Sequence, residues 1–236
     1  MVSDLRVKVF ADGADADGIA QLASNPVIKG FTTNPTLMRA AGVTDYACFA
    51  REVLPLVTGR PISFEVFADD FEEMERQARI IATWGEGVNV KIPITTTTGE
   101  SSRDLLCRLA AQGIKVNVTA LLTVDQVRTA TSALAGGPPC FISVFAGRVA
   151  DTGIDPLPIM RESLEIMAPH RNLELIWASP REILNVVQAD AIGCHVITVT
   201  HDILKKLPLL GRPLEEHSLD TVRMFHRDAQ AAGYTL

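Results

Sequence analysis

Residues 89–95 read NVKIPIT, a β-branched run with one lysine inside it and a proline close behind. Val, Ile and Thr favour strands, and a proline is accepted near a strand end. Lys91 is the odd member, because lysine is ordinarily a surface side chain. It fits an edge strand, or a stem that is buried while the ammonium reaches water. It fits equally an amine kept in a pocket for covalent chemistry.

The run around Lys91 is one of eight. Residues 5–10, 27–31, 62–66, 88–92, 115–119, 140–144, 173–177 and 195–198 are short, apolar and rich in Val, Ile and Phe. Most lack a clean polar alternation, as expected where helices cover a parallel sheet. Helical patterns lie between them, most clearly over 71–83, 101–111, 124–134, 156–167 and 180–189. Thr123 can cap one helix. Asp155 before Pro156 and Ser179 before Pro180 are caps followed by a first-turn proline, and Glu182 completes a capping-box signature with Ser179. Strand and helix alternating eight times predict an α/β fold, a (β/α)8 barrel. An open doubly wound sheet is the rival, but FADGADADG lacks the nucleotide-binding glycine spacing and no P-loop occurs. No linker divides the chain, so residues 1–236 read as a single barrel domain. Residues 213–232 add a C-terminal amphipathic helix, packed across a barrel end or against another subunit.

Composition narrows the partners. Hydrophobic residues make up 47% of 236, enough for a sizeable core, and the formal net charge is −6 without a basic block. Nucleic acid is therefore not the expected partner. The four cysteines, Cys48, Cys107, Cys140 and Cys194, form no CxxC pair, which argues against structural zinc and a disulfide scaffold and suits a reducing cytoplasm. No stretch has the length of a membrane span or the look of a signal peptide.

Polar residues collect where the expected strands end, the place where barrels build active sites. They are Asp12, Thr32, Thr33, Asn34, Glu65, Lys91, Asn117, Thr119, Ser143, Arg148, Ser179 and Arg181. Asp12 either caps the first helix, in competition with its neighbours in GADAD, or transfers protons. Thr33 and Asn34 precede Pro35, so capping is one role, and an amide facing a pocket is another. Glu65 sits in the apolar ISFEV, where an unpaired carboxylate is expensive. It pairs with Lys91 structurally, or serves it chemically. A neutral lysine amine attacks a ketone, and the protonated imine then acts as an electron sink for breaking or forming an adjacent carbon–carbon bond. Asn117 and Thr119 share one strand face and need hydrogen-bond partners, from a polar network or from substrate. Arg148, Ser179 and Arg181 follow the sixth and seventh strands, where barrels often hold phosphate. Surface salt bridges are the plainer use of both arginines.

Other chemistries have less support. His195, His201 and Asp202 form no HxH or HExxH pattern, there is no G-x-S-x-G elbow, and no cysteine carries the marks of a nucleophile.

The order of GFTTNPTL, ISFEV, NVKIPIT, IKVNVTALLT, ISVFAGRVADTG and WASPRE resembles that of the transaldolases and the related short-chain fructose-6-phosphate aldolases, from Val7 to about Thr200. The resemblance implies a barrel with Lys91 as Schiff-base residue on strand four and no cofactor or metal. It implies Asp12 as general acid/base, and Glu65 with Thr119 holding a catalytic water. Thr33, Asn34 and Asn117 would bind donor hydroxyls or orient the imine, with Ser143 and Phe145 nearby and Arg148, Ser179 and Arg181 at the phosphate. The short aldolases commonly carry glutamine and tyrosine where this chain has Glu65 and Phe145, so both positions are transaldolase-like on a short subunit. Two places depart from the pattern: Pro180 replaces an aromatic residue, and FADGAD replaces a D-T/S-A/S-D segment.

The implied reaction is transfer of a dihydroxyacetone unit between sugar phosphates. Release of free dihydroxyacetone, as in an aldolase, is the alternative, followed by a non-catalytic sugar-phosphate-binding barrel. The resemblance also implies a homo-oligomer, pentamer or decamer, with the terminal helix contacting a neighbour.

Overall fold

The computed structural model describes residues 4–235. Eight parallel strands close into a barrel in chain order: β1 (Lys8–Asp12), β2 (Ile28–Thr32), β3 (Ile62–Glu65), β4 (Val88–Pro93), β5 (Val116–Leu121), β6 (Cys140–Val144), β7 (Leu173–Trp177) and β8 (Val196–Thr200). β8 pairs back onto β1, with Asp12 opposite Thr200. Each expected strand is present. β1 begins and ends later than expected, which brings Asp12 onto the strand.

The helices are α1 (Ala16–Ala23), α2 (Pro35–Ala40), α3 (Tyr46–Val53), α4 (Phe71–Ala82), α5 (Arg103–Ala111), α6 (Val124–Leu134), α7 (Ala146–Asp151), α8 (Pro156–Met167), α9 (Leu184–Ala191), α10 (His201–Leu204) and α11 (Leu214–Ala232). Local chemistry fixes their starts. Asp15, not Asp12, caps α1 by accepting from the Gly18 amide. Asn34 caps α2 ahead of Pro35, Asp155 caps α8 ahead of Pro156, and Thr123 with Gln126 forms a full capping box on α6. Each such cap is worth about 1 kcal/mol.

One expected start is wrong. The helix read over 180–189 begins at Leu184, and Ser179 caps nothing. Ser179 instead takes a left-handed backbone (φ 59°). Asn185 Oδ1 accepts the amides of Arg181 and Glu182, so those N–H groups are not free for a ligand.

Two apolar layers result. The larger lies between sheet and helices and includes Val90, Ile92, Val118 and Leu106, all essentially sealed from solvent. The smaller fills the barrel with Phe10, Phe141, Ile176, Ala178 and Val196. Phe10 and Phe141 come from non-adjacent strands, yet their rings meet edge to face at 5.6 Å, which is possible only across the interior. Gly30 makes room for this, since a Cβ there would lie 2.6 Å from the Phe10 ring.

Strand register now decides which polar residues face inward. Phe141 is opposite Asn117, Asn117 opposite Lys91, and Lys91 opposite Glu65. Neighbours in register share a face, so all three polar side chains project into the barrel. Lys91 is thus not on an edge, because a closed barrel has none.

α11 stands apart. None of its residues is buried, so it does not lie across a barrel end.

Candidate functional site

Lys91 is 6% exposed, near the C-terminal end of β4. Its Nζ donates to the Thr33 carbonyl at 2.9 Å and stands 3.2 Å from Glu65 Oε2. The ion pair expected from sequence is therefore present, and it lies in the mouth of the barrel. The backbone of Glu65 is clamped by Tyr46 of α3, whose hydroxyl donates to the Glu65 carbonyl at 2.9 Å and accepts its amide at 2.7 Å. Taking away one member of such a desolvated pair leaves an uncompensated charge, at about 3–5 kcal/mol.

Asp12 sits at the end of β1, deep in the same mouth. Burial pushes its carboxyl above the usual range. The Lys91 charge, the Thr32 hydroxyl and the His201 imidazole oppose that rise. Thr32 Oγ1 donates to Asp12 Oδ1 at 2.7 Å and meets Thr198 Oγ1 at 2.5 Å. Thr32 has one proton to give, so Thr198 must donate to Thr32. An amine, a carboxylate beside it and a second carboxyl biased toward protonation supply a nucleophile and a proton carrier.

On the other side, Asn117 links three strands. Its Nδ2 donates to Ser63 Oγ at 3.0 Å, and its Oδ1 accepts from Ser143 Oγ at 2.7 Å. One N–H of the amide is left for another acceptor. Thr119 is 2% exposed and its Oγ1 has no partner among the described residues. Such an orphaned hydroxyl is a place for a water or a substrate atom. The β5 backbone beside it is irregular, with Ala120 at φ 64°.

Other expected residues are only partly available. The Thr33 hydroxyl is used by the Ser63 carbonyl at 2.9 Å. Asn34 accepts from Leu37 N through its amide oxygen, which leaves the NH2 group free to face a ligand. Phe145, half-buried against the interior cluster, lies under the Arg148 guanidinium, 5.6 Å from ring centre to carbon. Arg181 makes a two-pronged pair with Asp151, at 2.8 and 2.5 Å, and donates to Ser179 Oγ at 3.0 Å. Asp151 is held below the usual carboxylate range by this contact. Gly147 brings α7 against this loop so tightly that a Cβ would lie 1.6 Å from the Ser179 carbonyl oxygen. Arg148 on α7 and Arg181 on the loop after β7 thus follow adjacent strands, and Arg148 meets the interior cluster through Phe145.

Sequence reading missed Ser63, Thr198, Tyr46 and His201. The first two are small uncharged residues within strands, and Tyr46 belongs to a helix. His201 was weighed only as a metal ligand. No group of three or more His, Cys, Asp or Glu among the described residues is disposed around a metal ion. Burial pushes the thiols of Cys140 and Cys194 up to about 11 and about 12, which makes them poor nucleophiles. Among the described residues no helix is long and apolar enough to cross a membrane.

A cavity of about 790 Å³ opens at the opposite, N-terminal mouth, lined by Arg60, Asn89, Lys115, Arg171 and Glu174 among others. It contains none of the strand-end polar set, so volume and chemistry point to different ends. The convergent titratable groups are the better guide.

Comparison with known proteins places the chain in a family. The family model described as transaldolase/fructose-6-phosphate aldolase matches residues 9–236. A protein of Thermoanaerobacter sp. (strain X514) named "Probable transaldolase" is 34% identical over 228 residues, covering 96% of this chain and 99% of that one. Another with the same name, from Roseiflexus sp. (strain RS-1), is 35% identical over 201 residues, covering 85% and 88%. In structure, the chain superposes on 2,3-dimethylmalate lyase with a TM-score of 0.55 at 13% identity, covering 99% of this chain and 86% of the other. That last likeness is one of fold alone.

Proposed function

The chain belongs to the transaldolase/fructose-6-phosphate aldolase family and is a transaldolase-type enzyme; from that premise we propose that it transfers a dihydroxyacetone unit between sugar phosphates through a Schiff base on Lys91. One observation carries the reading: a sealed lysine amine in the catalytic mouth of the barrel, 3.2 Å from Glu65 and within the field of Asp12.

The Lys91 amine, once it has passed its proton to a base, attacks C2 of a ketose phosphate such as fructose 6-phosphate. Asp12, biased toward its acid form, protonates the carbinolamine hydroxyl, which leaves as water. The ionised Asp12 then takes the C4 hydroxyl proton. The C3–C4 electrons pass to the iminium nitrogen, and an aldose phosphate departs. The three-carbon enamine remains on Lys91 until an acceptor aldose phosphate reverses these steps. Glu65 and the orphaned Thr119 hydroxyl are suited to hold the water that carries protons between stages. The free amide N–H groups of Asn34 and Asn117 orient donor hydroxyls, with Thr33 supplying a carbonyl to Lys91 and Ser143 fixing Asn117. Arg148, with Ser179 and Arg181, meets the phosphate. The iminium nitrogen is the electron sink, so the scheme needs no cofactor. The exposed α11 supports assembly into a homo-oligomer, and the free thiols suit a reducing cytoplasm.

Incubation with fructose 6-phosphate, borohydride reduction and peptide mass spectrometry test the scheme. A dihydroxyacetone-sized adduct on Lys91 is expected, with release of glyceraldehyde 3-phosphate accelerated by erythrose 4-phosphate. Free dihydroxyacetone without dependence on an acceptor would reassign the chemistry to an aldolase. No adduct across a panel of ketose phosphates would sink the Schiff-base reading.

A further inference from the structure

We propose that Tyr46 is a positioning residue for the Glu65–Lys91 pair: its hydroxyl takes the place of a strand partner on the β2 side of Glu65 and leaves the Thr33 carbonyl to the Lys91 amine. The proposal deepens the Schiff-base reading and rests on it for what the pair does.

The need for such a residue follows from the ladder between β2 and β3. Phe31 N donates to the Pro61 carbonyl at 2.8 Å, and Thr33 N donates to the Ser63 carbonyl at 3.1 Å. A parallel ladder advances by two residues on each strand, with evenly spaced bonds. The next rung would join the amide of residue 35 to the Glu65 carbonyl, and the Glu65 amide to the Thr33 carbonyl. Residue 35 is a proline that opens α2 and has no N–H to give. The Thr33 carbonyl accepts from Lys91 Nζ at 2.9 Å instead. The ladder therefore stops one rung short of the residue that carries the carboxylate. Backbone groups left unpaired there would be costly.

Tyr46 supplies the missing rung with one atom. Its hydroxyl accepts from Glu65 N at 2.7 Å and donates to the Glu65 carbonyl at 2.9 Å. A hydroxyl can do both at once, because it carries a donor and two lone pairs. Its place is fixed locally: Asp45 caps α3 by accepting from Cys48 N at 2.8 Å, which sets Tyr46 in the first turn. The ring is held edge-on by Phe64, Phe67 and Trp84, at 6.0, 5.8 and 5.5 Å between centres. Burial pushes the phenol above its ordinary range, so at neutral pH the hydroxyl keeps the proton it donates. On the β4 side, Val66 N donates to the Lys91 carbonyl at 3.1 Å. Beyond it, Gln77 Oε1 accepts the amides of Phe67 and Ala68 at 2.9 and 3.2 Å. Without the Tyr46 oxygen, the Glu65 amide competes with Lys91 for the Thr33 carbonyl. The loss falls on the 3.2 Å separation between Lys91 Nζ and Glu65 Oε2. Tyr46 touches no reacting atom in this scheme and acts through the pair.

Tyr46→Phe removes the oxygen and keeps the ring. With fructose 6-phosphate and erythrose 4-phosphate, kcat is expected to fall about tenfold to a hundredfold, the scale of a misplaced catalytic group, with KM nearly unchanged. Borohydride trapping on Lys91 should slow in step. Hydrogen exchange of the Glu65 amide should quicken, while the Val66 amide keeps its protection. Circular dichroism checks the fold. Should Tyr46→Phe not fold, 3-fluorotyrosine in the unmutated chain weakens the hydroxyl as an acceptor and leaves it in place. The only other tyrosine, Tyr234, is 82% exposed. There kcat should fall by a smaller factor and the Glu65 amide again exchange faster. An unchanged kcat, or an unchanged Glu65 amide, in the folded protein would overturn the proposal. If the wild type itself forms no adduct, the Schiff-base reading fails, and exchange at the Glu65 amide still decides whether Tyr46 holds that residue.

Discussion

In the proposed scheme Asp12 sets stability against chemistry. Its folded carboxyl binds protons more tightly than the unfolded one, with burial the leading cause. Between the two pKa values the folded state holds the extra proton, so lowering the pH through the folded value stabilises the protein through this group. At neutral pH the ionised carboxylate is a burden. Asp12→Asn keeps an acceptor for the Thr32 hydroxyl and removes the charge. It is expected to abolish turnover and to raise Tm at neutral pH, by about 2–4 °C for each kcal/mol relieved. The gain should shrink as the pH falls through the raised value of the folded carboxyl, where wild-type Asp12 takes up its proton. Calorimetry at two pH values checks both parts, and a lower Tm at neutral pH would refute the account. Lys91 and Glu65 were legible beforehand because charge inside an apolar run is conspicuous. Ser63 and Thr198 were not, since a small hydroxyl residue in a strand looks like any β-former until register shows which face it takes.

The elements around the two arginines set a second, separable property. Arg148 stacks on Phe145 and makes no ion pair among the described residues, whereas Arg181 is already matched by Asp151. If both meet the substrate phosphate, removing the less committed guanidinium should cost more affinity. Arg148→Ala is expected to raise KM for fructose 6-phosphate about tenfold or more, the scale of a charge-assisted hydrogen bond. Arg181→Ala should raise it less, with kcat nearly preserved in each. Equal effects would mean that Asp151 releases Arg181 on binding. Gly147→Ala presses on a backbone oxygen, which cannot move as a side-chain tip does, and should destabilise by about 1–3 kcal/mol. Urea denaturation measures it. The same contact explains why the start of α9 was misread. Ser-Pro-x-Glu is a good cap signature taken locally. The close approach of Gly147 and the left-handed Ser179 are tertiary facts, and the capping of the two loop amides by Asn185 was hidden in an unremarkable asparagine. By contrast, α6 and α8 matched their expected bounds because Thr123 and Asp155 act within their own turn.

At the scale of the whole molecule, the barrel satisfies itself and α11 does not. The closed sheet leaves no strand edge for a partner, and the helices of the wall turn their apolar faces inward. α11 runs for 19 residues with none buried, and Leu214, Val222 and Phe225 are 80%, 60% and 63% exposed. A helix of that length gains little from its own hydrogen bonds in water and normally depends on packing of an amphipathic face. Its amphipathic period was plain in the sequence, but what covers it was not, because periodicity records a buried face without naming the surface opposite. A second copy of the chain is the occupant that needs no further component, and a ring of like subunits repeats the contact without leaving it open. Val222→Glu with Phe225→Glu places two charges on this face and touches nothing in the barrel core. The expected outcome in light scattering is a drop from an oligomer to a single chain, with partial loss of helical circular dichroism. The cooperative melting of the barrel should persist, because none of its buried residues comes from α11. An unchanged particle mass would show that the helix serves something other than self-assembly. A collapse of the barrel with the oligomer would show that the subunits fold only together.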